Sequence, residues 1–549
     1  MLLICHAIFS SFPLGHLRLR GRPGHAFALV LLVTAVMISS HARADDEGPR
    51  FSLTGFVVEG NSLLRDDQLQ QTLAPFTGSE RSFDTLRQAV EALEKAYADA
   101  GYGAIHVVLP AQELDQGTVK LRVFESRVGR ITVQGNTHYS DDNILRSVPS
   151  LRSGDYLHQD EVTASLALAN ESFAKQTRLL VGRGQQDQEV DVELAVTDQT
   201  PWRAVVSLDN SGNEATGRDR LALSVQHANL FDRDHAFSAQ YTTSPTKSDK
   251  VAIFGLGYRI PLYERGDALE FSWGRSNVNS GTVNTAAGDY AISGRGEFAS
   301  ARYWYGLPRW QGQTQQLFAS WESHKYESQV IATGATTSLI PDLSSQPLGL
   351  GYSLSGNNDT QTWRASLDYL VNLPGGATNS TAAYNQAGAR PGADARFSLW
   401  RYQASTQRAL ADGWGLSLDL QGQFTTDMLI SGEQFGVGGR SSVRGFNERE
   451  VAGDRGFRGS IEVAAPAISL PIEGSQARFV GFYDFASTQR LHALPGEQAR
   501  EGIAGAGIGL RIADTRNYQL RADLARVVDG GGSKRAGDLT THVQFVFLY

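Results

Sequence analysis

The sequence predicts a β-dominated fold: a 16-stranded transmembrane β-barrel preceded by two small α+β domains. Three observations support this fold class. A leader-like segment opens the 549-residue chain, an internal repeat follows it, and the remainder of the chain alternates with strand periodicity and lacks helical periodicity. We expect the leader at residues 1–44, the two domains at 45–126 and 127–199, and the barrel at 200–549.

The N-terminal segment has the order of a secretory signal peptide. Arg18, Arg20 and Arg22 precede the apolar run "AFALVLLVTAVMISS", which is followed by "ARA" at residues 42–44. A basic region, a short apolar region and an A-x-A site are typical of a cleaved leader. The alternative is a membrane anchor, but about 15 apolar residues is short for a helical span of about 20.

Charge and cysteine content exclude several functional classes. Cleavage after Ala44 removes four arginines and no acidic residue, so the net charge falls from −8 to −12. A net acidic protein is a poor general partner for nucleic acid. The single cysteine, Cys5, lies in the leader, and none of the twelve histidines has metal-ligand pair spacing. We therefore expect no catalytic residue, no cofactor and no metal.

A repeat organises the first part of the mature chain. "FVVEGNSLLRDDQL" returns as "ITVQGNTHYSDDNI", so that Val58 maps onto Val133 and Gly60 onto Gly135 with a constant offset of 75 residues. A strand, a Gly-Asn turn and an Asp-Asp helix start form one supersecondary unit. The repetition of all three elements predicts two related domains.

The rest of each repeat predicts a strand-helix-helix-strand-strand order. In the first copy, a helix is predicted by apolar residues at helical intervals, namely Phe83, Leu86, Val90, Leu93 and Tyr97. Gly101 ends this helix, and strands are expected at 105–110 and 119–125. In the second copy, a helix is expected to carry Val162, Leu166, Asn170 and Phe173. The alternating segment 190–196 closes that domain.

From residue 202 onward the chain alternates between apolar and polar residues. Leu221, Leu223 and Val225, for example, share one face of a segment whose other face is small or polar. We count about sixteen such segments of roughly 8–15 residues, as a transmembrane barrel requires. They begin near residues 202, 218, 234, 249, 267, 294, 313, 347, 360, 394, 412, 456, 475, 501, 517 and 538. Closure leaves no unpaired edge in lipid.

The C-terminal segment "HVQFVFLY" places Phe545, Phe547 and Tyr549 on one face of a strand. It resembles the last-strand signal that bacterial barrel-assembly machinery reads. The tandem repeat, including "LPAQELDQGTVKLRVFE", resembles the paired POTRA (polypeptide-transport-associated) domains that precede outer-membrane barrels. This second resemblance covers about residues 51–197.

A charged, glycine-rich stretch, "GGRSSVRGFNERE", interrupts the predicted barrel strands within a loop expected at residues 433–455. Val443, Arg444, Gly445 and Phe446 resemble the VRGF/Y motif in the sixth extracellular loop of the superfamily that includes two-partner-secretion transporters (TpsB). A second RGF begins at Arg455 and resembles the start of the following strand in that family.

The segment "FYDFA" resembles the F-x-D-x-G motif of the same family, which places an acid on the inner wall. Strand alternation puts Phe482 and Asp484 on one face, and a carboxylate facing lipid would be costly. The resemblance implies that the loop folds inward and that Arg444 binds Asp484, since the arginine fork can bind a carboxylate bidentately. Ala486 replaces the expected glycine, which puts the close backbone approach in doubt.

The resemblance to TpsB transporters implies a location in the outer membrane of a Gram-negative bacterium, with the POTRA domains in the periplasm. It implies three partners: an unfolded, TpsA-like exoprotein captured by strand addition, the barrel-assembly machinery, and outer-membrane lipid. An insertase of the barrel-assembly type and a passive porin are the alternatives. Many family members carry a plug helix, whereas here residues 45–50 alone separate the expected cleavage site from the first repeat.

Overall fold

The computed structural model describes residues 50–113, 117–186, 188–278, 281–285, 288–292, 295–327, 341–514 and 517–549. The predicted signal peptide lies outside these residues. Within them, none of the helices has the length and apolar character needed to span a bilayer.

The first repeat forms a small α+β unit, which we call module 1. Its elements are β1 (Phe51–Leu53), β2 (Gly55–Glu59), α1 (Asp66–Leu73), a 3-10 turn (Ala74–Phe76), β3 (Gly78–Arg81), α2 (Phe83–Asp99), β4 (Ile105–Val108) and β5 (Thr118–Glu125). The sheet order is β2-β5-β4, with β2 parallel to β5, and β1 pairs separately with β3. Helix α2 buries Leu93 and Tyr97 against the sheet.

The second repeat, module 2, has the same connectivity. Its elements are β6 (Arg127–Gln134), α3 (Asp141–Arg146), α4 (Gln159–Ala169), β7 (Lys175–Arg183) and β8 (Glu189–Asp198). The sheet order is β6-β8-β7, and β6 is parallel to β8. Strand β7 therefore lies at the edge of its sheet. The predicted strand-helix-helix-strand-strand order is present in module 2, and in module 1 the strands β1 and β3 are added to it.

The repeated Gly-Asn turn has a common physical basis. Gly60 and Gly135 both have φ of +87°, a left-handed conformation that glycine adopts without steric cost. A Cβ at either position would lie 2.4 Å from the carbonyl oxygen of Val123 or 2.3 Å from that of Val196. Glycine is thus required at both positions for two reasons, its left-handed conformation and the close approach of the final strand.

An acidic residue at the end of each module's final strand completes this turn. Glu125 accepts the backbone N–H of Ser62 at 2.7 Å, and Asp198 accepts that of Thr137 at 2.8 Å. Burial works against the charge on Asp198, but the backbone N–H groups of His138 and Thr137 lower its pKa. The sequence repeat therefore extends to an acid that the pattern of apolar residues does not show.

The helix predicted in the second module was too long. Helix α4 ends at Ala169, because the Asn170 side chain bonds the backbone of Thr177 through both its amide and its carbonyl groups, which competes with helix continuation. Phe173 lies beyond the helix end. Phe83 begins helix α2, as its helical spacing predicts, and its side chain is 66% exposed.

The remainder of the chain forms a closed antiparallel barrel of sixteen wall strands. They are β9 (Trp202–Asp209), β10 (Arg220–Leu230), β11 (His235–Thr243), β12 (Ala252–Leu262), β13 (Asp267–Ser276), β16 (Arg295–Trp310), β17 (Gln313–Glu327), β19 (Pro347–Asn357), β20 (Gln361–Asn372), β21 (Ser398–Ala409), β22 (Gly415–Phe424), β25 (Arg455–Ala464), β27 (Ser475–Gln489), β28 (Arg500–Asp514), β29 (Tyr518–Asp529) and β30 (Leu539–Leu548). Each predicted start lies within four residues of the observed one.

Shorter elements occur in the connections and beside the wall. They are β14 (Gly281–Thr285), β15 (Gly288–Ile292), β18 (Leu343–Ser345), β23 (Phe435–Val437), β24 (Val451–Gly453), β26 (Ile468–Ser469), α5 (Thr381–Tyr384) and a 3-10 turn (Ala411–Gly413). Strands β14 and β15 form one hairpin and β23 and β24 another. The short strand β18 continues the wall beside β17.

The wall has an apolar outer face, as the alternation predicts. Leu223 and Val225 on β10 are 47% and 43% exposed, while Ser224 between them faces the lumen. Strand β30 closes the barrel by pairing with β9 over five residue pairs, the shortest ladder between wall strands in the described structure. Closure satisfies backbone groups that an open edge would leave without partners in lipid.

Candidate functional site

The connection between β22 and β25, which we call the inward loop (residues 425–454), folds back against the inner wall of the barrel. The prediction began this loop at residue 433, whereas β22 already ends at Phe424. Leu429 and Ile430 in the intervening segment are fully buried, in a cluster with residues of neighbouring connections and wall strands.

The tip of the loop carries the predicted motif and is buried. Val443 and Phe446 are 0% and 1% exposed, and they pack with Ala486, Ile503 and Val527 of the wall strands. A loop exposed to solvent would not bury two apolar side chains among wall residues. The tip is therefore held inside the lumen.

Arg444 and Asp484, predicted to meet, lie in bidentate contact. The Arg444 Nε donates to Asp484 Oδ2 at 2.6 Å and its Nη2 to Oδ1 at 2.8 Å. The backbone N–H of Arg444 also donates to Oδ2, at 3.0 Å. The Phe482 ring lies 3.5 Å from the guanidinium carbon, so the second predicted wall residue supports the cation through its π face.

Further charged groups surround this pair. Arg444 Nη1 lies 2.8 Å from Glu462 Oε2, and the Ser460 hydroxyl donates to Asp484 at 2.6 Å. Arg511 then links Glu462, at 3.0 Å, to Asp523, at 2.7 Å. The tip thus joins an alternating network of charges on β25, β27, β28 and β29. Such a network keeps every buried charge compensated.

Gly445 brings the tip to the closing strand. Its φ of +105° is in the left-handed region, its N–H donates to His542 Nε2 at 3.1 Å, and its carbonyl accepts from the Thr540 hydroxyl at 2.9 Å. Both partners are on β30, which forms one side of the barrel seam. The glycine is therefore needed for conformation at a point where the loop touches the C-terminal strand.

The departure at Ala486 is compensated on the neighbouring strand. Asp484 pairs across the sheet with Gly505 of β28. A Cβ at Gly505 would lie 2.0 Å from the carbonyl oxygen of Arg444. The loop tip and the wall backbone thus approach closely at Gly505, while the Ala486 methyl group packs with the loop tip.

The predicted C-terminal signal residues lie on the outer face. Phe545 and Phe547 are 40% and 39% exposed on β30, and Tyr549, just past the end of that strand, is 90% exposed. His542 and Gln544 alternate with them and face the lumen, where both contact the inward loop. The strand therefore presents aromatic residues outward and loop contacts inward.

The structure shows a second loop anchor that sequence reasoning missed. The carboxylate of Glu433, 1% exposed, receives the Tyr326 hydroxyl at 2.8 Å, lies 2.8 Å from His324 Nδ1, and lies 3.4 Å from Arg401 Nη2. The Ser345 hydroxyl donates to the same carboxylate. These partners are on β17, β18 and β21, on a different part of the wall from the partners of Arg444.

A third acid ties the return of the loop to its outgoing half. Asp454, fully buried, accepts the backbone N–H of Leu429 at 3.0 Å and of Leu491 at 2.6 Å, and the side-chain amide of Gln434 at 3.0 Å. Its partners belong to the inward loop and to the next outer connection. The base of the loop is therefore held by hydrogen bonds to a single buried carboxylate.

No sequence signal could have found Glu433. Three of its partners are 88, 107 and 109 residues away in the chain, Arg401 is 32 residues away, and none of the four lies in a recognisable motif. Arg444 was found because both halves of its contact resemble short family motifs. No cluster of three or more His, Cys, Asp or Glu side chains that could hold a metal ion occurs among the described residues.

Comparisons with known proteins agree with this architecture. The family described as "Haemolysin secretion/activation protein ShlB/FhaC/HecB" matches residues 188–512, and the family described as "POTRA domain, ShlB-type" matches residues 51–126. The first match covers β8 of module 2 and the wall strands from β9 to β28, including the inward loop.

Individual relatives match most of the chain. The heme/hemopexin transporter protein HuxB of Haemophilus influenzae is 22% identical over 88% of this chain and 85% of its own length. The outer membrane transporter CdiB of Dickeya dadantii is 23% identical over 80% and 77%. The solved structure of CdiB from Escherichia coli superimposes with a TM-score of 0.76 at 19% identity, covering 93% of both chains.

Proposed function

This chain belongs to the haemolysin secretion/activation protein family (ShlB/FhaC/HecB), and on that premise we propose that it exports one unfolded exoprotein by two-partner secretion. It is an outer-membrane transporter whose modules lie in the periplasm. The exoprotein would be captured by the modules and passed outward through the barrel. The insertase and porin alternatives receive no comparable support.

The observation that carries this proposal is a closed barrel with a loop held inside it at two points. A fully open pore would not need Arg444 and Glu433 to hold the inward loop against two parts of the wall. A lumen blocked by such a loop fits a conduit that opens for a polypeptide. Release of the Arg444 tip is the step that we assign to opening.

The edge strand β7 is the capture surface that we propose. It is nine residues long, it pairs with β8 along one side, and its Leu180 and Val181 side chains are 51% and 48% exposed. An extended polypeptide can add to such an edge through main-chain hydrogen bonds, with alternate side chains providing apolar contact. This mode suits an unfolded cargo with varied sequence.

We further propose that transport requires no catalytic residue and no nucleotide hydrolysis in this chain. The sequence contains no phosphate-binding loop. Folding of the cargo outside the cell would supply the driving force. The outward aromatic residues of β30 would be read by the barrel-assembly machinery, and the apolar outer face would contact outer-membrane lipid.

Comparison of culture supernatants tests the proposal. A strain lacking this gene should lose one large secreted protein, and the intact gene should restore it. A chain lacking residues 45–199 should insert but fail to restore it. If the truncated chain secretes at normal levels, the modules do not capture cargo. If instead many outer-membrane proteins decline together, the chain is an insertase.

A further inference from the structure

The periplasmic turn between β10 and β11 is strained. Phe231, Asp232 and Asp234 have φ of 61°, 53° and 58°, which is the left-handed region that residues other than glycine avoid. Such conformations persist when their surroundings hold them in place, and they cluster at functional sites. We therefore expect other parts of the protein to contact this turn and to hold its backbone in place.

Part of the support comes from the barrel itself. The Asn229 side chain accepts the Asp234 backbone N–H at 2.9 Å and donates to Asp232 Oδ1 at 2.9 Å. Module 2 supplies the rest: the Ser140 hydroxyl donates to Asp232 Oδ2, and Arg146 Nη1 donates to the Asp232 carbonyl at 3.0 Å. Helix α3 of module 2 therefore sits directly on the strained turn.

A buried lysine joins the two bodies beside that helix. The Lys175 side chain is 0% exposed, and its Nζ donates to Asp234 Oδ2 at 2.7 Å and to Asn143 Oδ1 at 2.9 Å. The Tyr263 hydroxyl donates to the same Asp234 oxygen at 2.7 Å. Burial lowers the pKa of Lys175, and the carboxylate of Asp234 opposes that shift. A buried charge pair of this kind is costly to break from one side.

A second group of contacts fixes the rotation of module 2 on the barrel rim. Arg259 of β12 forms ion pairs with Glu171 of module 2 and with Glu270 of the wall. The guanidinium of Arg203 lies 3.8 Å from the centre of the Phe173 ring. Two separate contacts define an orientation, which a single pivot would leave free.

Lys175 is also the first residue of β7, the edge strand assigned to capture. We propose that the Lys175–Asp234 contact is a positioning device that holds the end of this edge at the barrel mouth, so that a captured polypeptide is delivered into the lumen. This inference rests on the proposed function. It assigns a role in transport to two residues that need not touch the cargo.

The test measures position and export separately. Spin labels at Leu180→Cys on β7 and Trp310→Cys on the barrel report the distance between the bodies in the full-length protein. Lys175→Met and Asp234→Asn should each broaden that distance distribution and lower export at matched barrel levels. The Asn variant keeps hydrogen-bonding capacity, so it serves if the Met variant is poorly assembled.

A matched control is Lys95→Met. Lys95 pairs with Asp99 at 2.8 Å, but both side chains are more than half exposed on module 1. This variant should leave the distance and export unchanged. Native distances in both Lys175→Met and Asp234→Asn, or lost export with native distances, would overturn the positioning role.

An engineered disulfide provides the rescue. Ser140→Cys with Asp232→Cys replaces the hydrogen bond between helix α3 and the turn. Oxidised, it should restore export to Lys175→Met, and reductant should abolish the restoration. An oxidised bridge that blocks export in an otherwise unchanged chain would show that module 2 must leave the rim during transport, and it would overturn the positioning role. The distance measurement requires no cargo. If export is absent in every variant, the proposed function is rejected, and the distances still test the positioning role of Lys175 and Asp234.

Discussion

The two anchors of the inward loop are chemical opposites. At the tip, a cation, Arg444, is surrounded by the carboxylates of Asp484 and Glu462. At the base, an anion, Glu433, is surrounded by donors that include Tyr326 and Arg401. The tip binds strands β25 and β27, and the base binds β17, β18 and β21. The loop is thus held across the lumen by contacts with two parts of the wall.

The difference between the anchors lies in what remains when one partner is lost. Without Arg444, Asp484 keeps the Ser460 hydroxyl but no cation within the same contact. Without the charge of Glu433, Arg401 still has Glu322 at 3.1 Å. When the charge of the loop residue is lost, the wall residue Arg401 at the base therefore keeps an anion, whereas the wall residue Asp484 at the tip keeps no cation. The tip should be the stronger determinant of the closed state.

The largest effect is expected from Arg444→Ala and Asp484→Ala. Arg444→Ala leaves the buried Asp484 without a cation, which should weaken attachment of the tip by about 3–5 kcal/mol. Asp484→Ala removes the bidentate contact and leaves the guanidinium with Glu462, 2.8 Å from its Nη1. Export should fall sharply in both while the barrel still inserts. The double variant removes both charges, so its defect should be smaller than the two single defects together. Export at matched barrel levels measures all four chains.

Arg458→Ala is the matched control for the tip. Arg458 is on the same strand as Glu462 and faces the same lumen, but its partner is Asp419, 3.1 Å away and 43% exposed. A partly exposed pair of this kind is worth about 0–1 kcal/mol. Export should stay normal. Equal defects in Arg458→Ala and Arg444→Ala would mean that any lumenal charge matters, and the loop contact would lose its special status.

The next effect is expected from Gly505→Ala. The added methyl group would meet the Arg444 carbonyl oxygen, and such overpacking costs about 1–3 kcal/mol. The tip should detach while all charges remain in place, so channel conductance in planar bilayers should fluctuate more than in the unmodified protein. A quiet trace would show that the close approach of loop and β28 is dispensable.

Glu433→Gln should have a smaller effect. The amide keeps the size of the side chain but loses the charge, and weakened hydrogen bonds from His324 and Tyr326 should cost about 1–3 kcal/mol. Because Arg401 retains Glu322, export should decline less than in Arg444→Ala. Protease cleavage within the loop should reveal a looser base. Export as poor as that of Arg444→Ala would make the two anchors equal.

The smallest effect is expected from Ala486→Gly, which restores the family residue. Since Gly505 already provides the close approach, the change should leave export unaltered. It should lower barrel stability by about 0.5–1 kcal/mol, because glycine is entropically unfavourable in a strand. A gain in export would show that the departure at this position limits the protein. Thermal unfolding measured beside export separates these outcomes.

Sequence patterns predicted the barrel and modules because each relies on local regularity. Alternation places every wall strand, and the offset of 75 residues places both modules. The prediction made helix α4 too long because the Asn170 side chain binds the backbone of Thr177, and helical periodicity does not show such a tertiary contact. Arg444 and Asp484 could be predicted because both lie in motifs. Folding alone brings together the partners of Glu433, the pair of Lys175 with Asp234, and Gly505 with the loop tip, and no sequence pattern shows these contacts.

The short ladder between β9 and β30 has a consequence for the timing of biogenesis. Gln544 and Ser207, which meet at this seam, are 337 residues apart in the chain. Joining such distant segments carries the largest loop-closure entropy, so the sheet shuts after its other strands have formed. An interruption anywhere between the two strands leaves an open edge that can aggregate. The barrel therefore closes at this seam once the whole polypeptide between β9 and β30 is present.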